Sequence, residues 1–250
     1  MPDVRISFAQ ETFRPDASGA LYWPDREMLI VSDLHFEKGS SFAQKGVFLP
    51  PYDTRATLTM IEDLCRRFAP KTILSLGDAF HDTDAQSRME KTDRDRLGKL
   101  CARHRWIWVL GNHDPEPPEA LGDEAVEEIK FGPIEFRHEA SPLGHPIDGA
   151  EMSGHYHPAA LIRTEGRTLR RRCFVHDDQR MILPAMGAFT GGLNILDPAI
   201  NGLFKGQINA FAVGKSAVYP MPLENLVPER HRPSVTSRRK NSLSALKATG

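Results

Sequence analysis

Three times in its first half this chain runs through four or five largely apolar residues and then stops on side chains able to ligate a metal. "MLIVSDLH" (residues 28–35) ends in Asp33 and His35, "TILSLGD" (72–78) in Asp78, and "WIWVLGNHD" (106–114) in Asn112, His113 and Asp114. Apolar runs of this length, without alternation, read as strands covered on both faces. Between the first two, Leu58, Ile61, Leu64 and Phe68 fall near helical spacing, with Pro70 just beyond, which predicts a helix over Asp53–Phe68. Between the second and third, the charged stretch 84–103 with a sparse apolar stripe predicts one exposed helix, and the Gly/Ser/Pro-rich "EKGSSFAQKGVFLPPYDT" reads as a loop. Strand, helix, strand, helix, strand implies parallel pairing with crossover helices. Sites in such sheets form outside the carboxyl ends of the strands. The three polar endings should therefore meet in one crevice.

The first strands, "VRISFA" and "ALYWP", alternate as half-buried strands do. The second half breaks into short runs ("AVEEIKF", "IEFRHE", "ALIRTEG", "RTLRRRCFV", "RMILPAM", "INAFAV", "SAVYPM") separated by Gly, Pro or Asp, which predicts mostly β-structure with hairpins. A single folded domain over residues 1–228 is expected. From Glu229 the chain is basic, Ser-rich and poor in large apolar residues, so 229–250 reads as a disordered tail, either an inert terminus or a phosphate-backbone contact. A formal net charge of -1 over 250 residues supplies no global field toward nucleic acid or membrane, so such affinity needs local patches. Cys65, Cys101 and Cys173 form no CxxC pair and read as reduced thiols. With no apolar leader and no run of about 18 apolar residues, a cytoplasmic protein without a membrane partner is expected.

Further along, "IEFRHE" ends in His138 and "MSGHYHP" supplies His155 and His157. His145 is a rival for the isolated histidine, but it lies in a Pro/Gly loop, whereas His138 follows an apolar run. If strand geometry persists, Asp33 and His35 project to one side and can reach one ion together, as can His155 and His157. The glycines before Asp78, Asn112 and His155 suit tight turns and close backbone approach. A mixed Asp, Asn and His donor set suits Mn, Fe or Zn better than Ca.

The order DxH, GD, GNHD, H, GHxH resembles the calcineurin-like metallophosphoesterase superfamily over Ile30–Pro158. "SDLHFEKGSSFA", "FLPPYDT", "GDAFHD", "GHYHPA" and "LPAMGAFTGGLN" are similar to the ligase-associated DNA damage response endonuclease family of bacteria. The resemblance implies an α/β fold: a two-sheet β-sandwich flanked by helices, in four layers. It implies two divalent cations, manganese foremost with zinc or iron as alternatives. Asp33, His35 and His157 would hold the first, Asn112, His138 and His155 the second, and Asp78 both. Two ions about 3.5–4 Å apart clamp a phosphate and activate water. His113 would face substrate and protonate the leaving oxygen, with Asp114 holding its ring in one tautomer. Many superfamily members carry an acidic residue where this chain has His81; His81 is expected to face substrate. Lys38, just after the first of these strands, reads either as a substrate-phosphate contact or as a surface lysine, and Thr190 in "GAFTGG" either as a substrate contact or as part of a simple turn.

The arginines of "RTLRRRCFV" (Arg167, Arg170, Arg171, Arg172) alternate faces on a strand, so they read either as a solvated hairpin or as a nucleic-acid backbone contact. Trp106 and Trp108 read as sheet packing. The functions implied are a metal-dependent phosphodiesterase cutting DNA as an endonuclease in ligase-associated repair, or a small-nucleotide phosphodiesterase or phosphatase. A non-catalytic metal-stabilised scaffold is the third; such scaffolds lose ligands or the active histidine, and every motif position is filled here. An ATP-dependent DNA ligase and a helicase are the partners the family name implies. Nothing in the pattern sets an oligomeric state.

Overall fold

A computed structural model describes residues 4–229 apart from 51, 117, 119, 120 and 123. The segment expected to be a basic tail lies outside the described residues but for Glu229. The first sheet holds seven strands in chain order: β1 (Ile6–Phe8), β2 (Glu11–Pro15), β3 (Leu21–Trp23), β4 (Met28–Val31), β5 (Thr72–Leu76), β6 (Arg105–Val109) and β7 (Glu124–Val126). β1 to β4 pair antiparallel and β4 to β7 parallel. The second sheet follows: β8 (Glu128–Phe131), β9 (Ile134–Arg137), β10 (Ala150–Ser153), β11 (Pro158–Thr164), β12 (Arg167–His176), β13 (Arg180–Ile182) and β14 (Leu193–Asn194). Their order is β14-β11-β12-β13-β10-β9-β8, and β15 (Asn209–Val213) and β16 (Val218–Met221) join through β12.

The apolar runs are continuous because β4, β5 and β6 lie between two cores. Met28, Ile30, Leu74, Leu76, Ile107 and Val109 meet Phe136, Met152 and Phe174 of the second sheet. On the other face Leu29, Val31, Ile73, Trp106 and Trp108 meet the helices α2 (Asp53–Phe68) and α4 (Lys91–Arg103) through Leu58, Ile61 and Leu97. The two tryptophans stack with ring centroids 4.7 Å apart, as sheet packing requires. A third core covers the outside of the second sheet, where Cys173, Val175 and Ile182 meet Ile200 of the short α5 (Pro198–Asn201), Phe204 and Leu226. The result is a two-sheet α/β sandwich flanked by helices. Each fully buried Leu, Ile or Phe contributes about 1.5–3 kcal/mol.

Three local expectations are corrected. The "EKGSS" stretch is not all loop: Lys38–Gln44 forms α1. Its sequence favours no helix, but Glu37 (φ 66°) turns the chain into it, and the Asp53 carboxylate accepts the Gly39 N–H at 2.9 Å. The helix expected over 84–103 is broken into α3 (Ala85–Arg88) and α4, because Met89 and Glu90 are extended and Met89 is buried in the helix-side core. Leu21–Trp23 is buried on both faces rather than one. The second half is mostly β-structure with hairpins, as expected, with β10 in addition parallel to both β9 and β13.

Candidate metal centre

The loops after β4 and β5 zip together beyond the sheet. The His35 N–H donates to the Asp78 carbonyl (2.9 Å), Phe36 N–H to Ala79 O (2.8 Å) and His81 N–H back to Phe36 O (3.0 Å). Strand geometry does not persist to the candidate ligands. Asp33, His35, Asp78, His155 and His157 all have positive φ, between 45° and 69°. Such a backbone costs non-glycine residues on the order of 1–2 kcal/mol each. The projection expected from extended alternation is thus replaced by left-handed turns, which aim His155 and His157 into different groups.

Those groups are Asp33 with His35 and His157, and Asp78 with His138 and His155. In the first, His157 Nε2 is 3.3 Å from Asp33 Oδ1 and 3.2 Å from His35 Nε2. In the second, His138 Nε2 lies 3.0 Å from Asn112 Oδ1, 3.1 Å from His155 Nδ1 and 3.3 Å from Asp78 Oδ1. Asp78 faces both, for its Oδ2 is 3.9 Å from His35 Nε2. His145 stands exposed in a loop, away from both groups.

The glycines show how tightly this is built. A Cβ at Gly77 (φ +73°) would overlap the His138 ring, one at Gly111 the Asp78 backbone and carboxylate, and one at Gly154 the side chains of Ser32 and Asp33.

A cation suits this donor set. The His138 Nδ1–H donates to Leu76 O at 2.9 Å, which leaves a lone pair on Nε2 aimed at two other acceptors, Asn112 Oδ1 and Asp78 Oδ1. Burial lowers the His35 pKa to about 2 and lowers that of His155 as well, so both rings are neutral. Burial works against the Asp33 carboxylate, yet His157, His138 and Ser32 beside it hold its pKa below the ordinary value. Neutral imidazoles and ionised carboxylates with converging lone pairs are what Mn, Zn or Fe require.

His113 sits at the rim, its Nε2 4.0 Å from Asp78 Oδ2 and its side chain 39% exposed. Its ring is oriented by the His81 carbonyl, which accepts from Nδ1 at 2.7 Å. That corrects the expectation for Asp114. Its carboxylate accepts the backbone N–H groups of Gly111, Asp78, Ala79 and Phe80 at 2.8–3.1 Å, so it braces the two ligand loops against each other. Burial raises its pKa to about 6. His81 stacks on His113 (centroids 5.1 Å apart) and places Nδ1 3.5 Å from His35 Nδ1. Lys38 is half-buried, and burial lowers its pKa against the attraction of Asp78, Asp33 and Asp53. Thr190 Oγ donates to Gly187 O at 2.9 Å, closing the "GAFTGG" turn on itself, while the Gly187 N–H reaches Asp33 O.

The carbonyls of Leu76 and His81, which set two imidazole tautomers, carry no residue-type signal. The Arg88 bridge from Asp82 (2.8 Å) to Ser40 (3.1 Å), which ties the His81 loop to α1, could have been suspected only as an arginine near "GDAFHD".

The calcineurin-like phosphoesterase family model matches residues 27–172. The crystal structure of Pseudomonas putida nuclease MPE is similar at a TM-score of 0.68 and 27% identity, covering 87% of this chain and 99% of that one. Yfce, a phosphoesterase from E. coli, is matched at a TM-score of 0.42 and 12% identity over 76% of this chain and 95% of that chain, a likeness too faint to carry weight. No curated protein sequence matches. With more than half its length matched by the family model and its donor groups gathered beyond the ends of β4, β5, β6, β9 and β10, the chain belongs to the calcineurin-like phosphoesterase family and is a metal-dependent phosphoesterase.

Proposed function

We propose that this enzyme is a dinuclear-metal phosphodiesterase that cuts DNA as an endonuclease, with Mn as its first-choice cation and Zn or Fe as alternatives. The observation that carries the dinuclear reading is Asp78, whose two oxygens face separate donor groups. In this reading Asp33, His35 and His157 would hold one cation, Asn112, His138 and His155 the other, and Asp78 would serve both. Bound there, the cations supply Lewis acidity to the phosphate and activate water near neutral pH.

The chain's own residues do the rest. His113 has its Nδ1–H committed to a backbone carbonyl, so Nε2 is the atom that, carrying the second ring proton of the imidazolium form, hands it to the leaving oxygen and returns to a lone pair. Lys38 and His81 flank it and take the non-bridging oxygens; among the described residues the Lys38 ammonium has no hydrogen-bond or ion-pair partner of its own. Thr190, on the turn whose Gly187 N–H bonds Asp33 O, is read as a further substrate contact. DNA as substrate is supported by the likeness to a nuclease at 27% identity. A repair role in the cytoplasm, beside an ATP-dependent DNA ligase and a helicase, belongs to the same reading and rests on the motif strings. Among the described residues no helix is long and apolar enough to cross a membrane.

The test is hydrolysis of closed circular DNA, a simple aryl diester and an aryl monoester after chelation and add-back of Mn, Zn, Fe or Mg. Nicking of the circle with Mn, outpacing the monoester, is expected. Monoester turnover without DNA nicking would favour a small-nucleotide phosphatase, and full metal loading without any turnover would leave a scaffold.

A further inference from the structure

The arginines of the β11–β12 hairpin were open to two readings, and the register separates them. Ala159 pairs with Arg172, Leu161 with Arg170, and Arg163 with Thr168. Residues opposite one another share a face and alternate along each strand. Arg163, Arg170 and Arg172 therefore lie on one face, Arg167 and Arg171 on the other. Further along β12 the first face carries Phe174 into the core between the sheets, so it is the face turned toward the first sheet.

Arg172 is structural. It donates to Ala185 O (2.5 Å) and Met186 O (3.4 Å), and the Met186 N–H donates to Ser32 O (2.9 Å), beside Asp33. Arg172 thus marks the level of the candidate ligands, and the hairpin from Ala160 to Arg171 stands beyond it. Arg170 starts this overhang, donating to the Gly192 carbonyl. Gly192 is packed so closely on His157 that a Cβ would lie 2.7 Å from the His157 carbonyl. Arg163 is the diagonal neighbour of Arg170, a separation of about 7–8 Å, comparable to the step between successive phosphates on one strand.

The hairpin concentrates cations that lack carboxylates. Several cations elsewhere are paired with one: Arg96 with Glu62, Arg105 with Glu124, Lys130 with Asp148, Arg137 with Glu135. Residues 158–172 carry five arginines and one glutamate in a chain of net charge -1. Among the described residues Arg163, Arg167 and Arg171 have no carboxylate partner, and Arg170 has Glu229 at 3.0 Å. A solvent-exposed pair of that kind is worth about 0–1 kcal/mol and yields readily to a phosphate.

We infer that the hairpin face bearing Arg163 and Arg170 is a track for the sugar-phosphate backbone of nucleic acid, holding the phosphates that flank the one at the metal centre. The inference rests on the nuclease reading and deepens it. Guanidinium forks grip phosphate oxygens in pairs and read no sequence. The contact is local because the molecule's net charge provides no wider attraction.

The test is the salt dependence of binding. A fluorescent 30-nucleotide DNA is titrated with full-length, Mn-loaded protein, carrying His113→Ala to slow cleavage, at several salt concentrations. Arg163→Gln with Arg170→Gln is expected to weaken binding roughly tenfold or more at low salt and to flatten the slope of log K against log salt by about 1.4–1.8, the yield of two lost phosphate contacts. Arg163→Lys with Arg170→Lys should keep most of the slope, which separates charge from packing. Arg103→Gln, an exposed arginine on α4, should change neither affinity nor slope. DNA binding by the parent with unchanged slope and affinity in the double Gln variant overturns the track and leaves the nuclease reading standing. A parent protein that binds no DNA overturns both.

Discussion

Two corners of this molecule pair a histidine with the aspartate that follows it, and they do opposite things. At the metal centre "GNHD" leads into Asp78, His138 and His155, where acceptor faces acceptor. At the end of β12, "VHDD" places buried His176 and Asp177 on a tight corner. There the Asp177 carboxylate accepts four backbone N–H groups, those of Gln179, Arg180, Lys205 and Gly206, at 2.8–3.2 Å, and His176 Nδ1 meets the Asp177 carbonyl at 2.9 Å. One corner has spent its hydrogen-bonding capacity on its own backbone; the other keeps lone pairs in reserve. Residue type does not separate a ligand from a brace, but the count of donors around it does. Asp114 makes the same point inside the centre, since it is bonded like Asp177 and braces rather than binds.

The contrast can be broken by substitution. Asp78→Asn should abolish metal-dependent diester hydrolysis, by on the order of 10³-fold or more, since several kcal/mol of charge stabilisation go with the cations. Metal analysis should find the bound metal depleted, and an Asp78→Asn protein with full metal and full rate would dissolve the distinction. His113→Ala should retain metal and lose about 10²–10⁴-fold in turnover; equal turnover of variant and parent would remove the assigned acid. Asp177→Ala should do the reverse of Asp78→Asn. It orphans backbone donors and should cost about 2–4 kcal/mol in chemical denaturation while metal content per folded chain stays unchanged. The smallest effect is expected on α4. Gly98 lies within α4 with nothing within 4 Å of an added Cβ, so Gly98→Ala should stabilise by about 0.5–1 kcal/mol with no change in rate.

Much of this was legible beforehand because burial leaves a strong mark. The three apolar runs announced strands between two cores, and the amphipathic stripe of Leu58, Ile61 and Leu64 marked α2 to its ends. Tertiary causes were not legible. α1 forms over "KGSSFAQ" because Asp53 and Thr54 tie down its first turn, and α3 separates from α4 because Met89 is drawn into the core. At the centre the side chains that gather into donor groups could be read, but their mode of convergence could not. Left-handed turns at Asp33, His35, Asp78, His155 and His157 could not be read from residue type, because Asp and His enter that region more often than most side chains yet usually do not adopt it. The orientation of His113 was misassigned to Asp114 because the group that sets it is a main-chain carbonyl.

The central claim is that Asp78 stands between two cation sites rather than closing one. Anomalous diffraction at the manganese edge, from crystals grown with excess Mn, tests it directly. The account predicts two peaks per chain, one against Asp33, His35 and His157, the other against Asn112, His138 and His155, with a different oxygen of Asp78 on each. A single peak, or peaks that leave Asp78 uncoordinated, would contradict it.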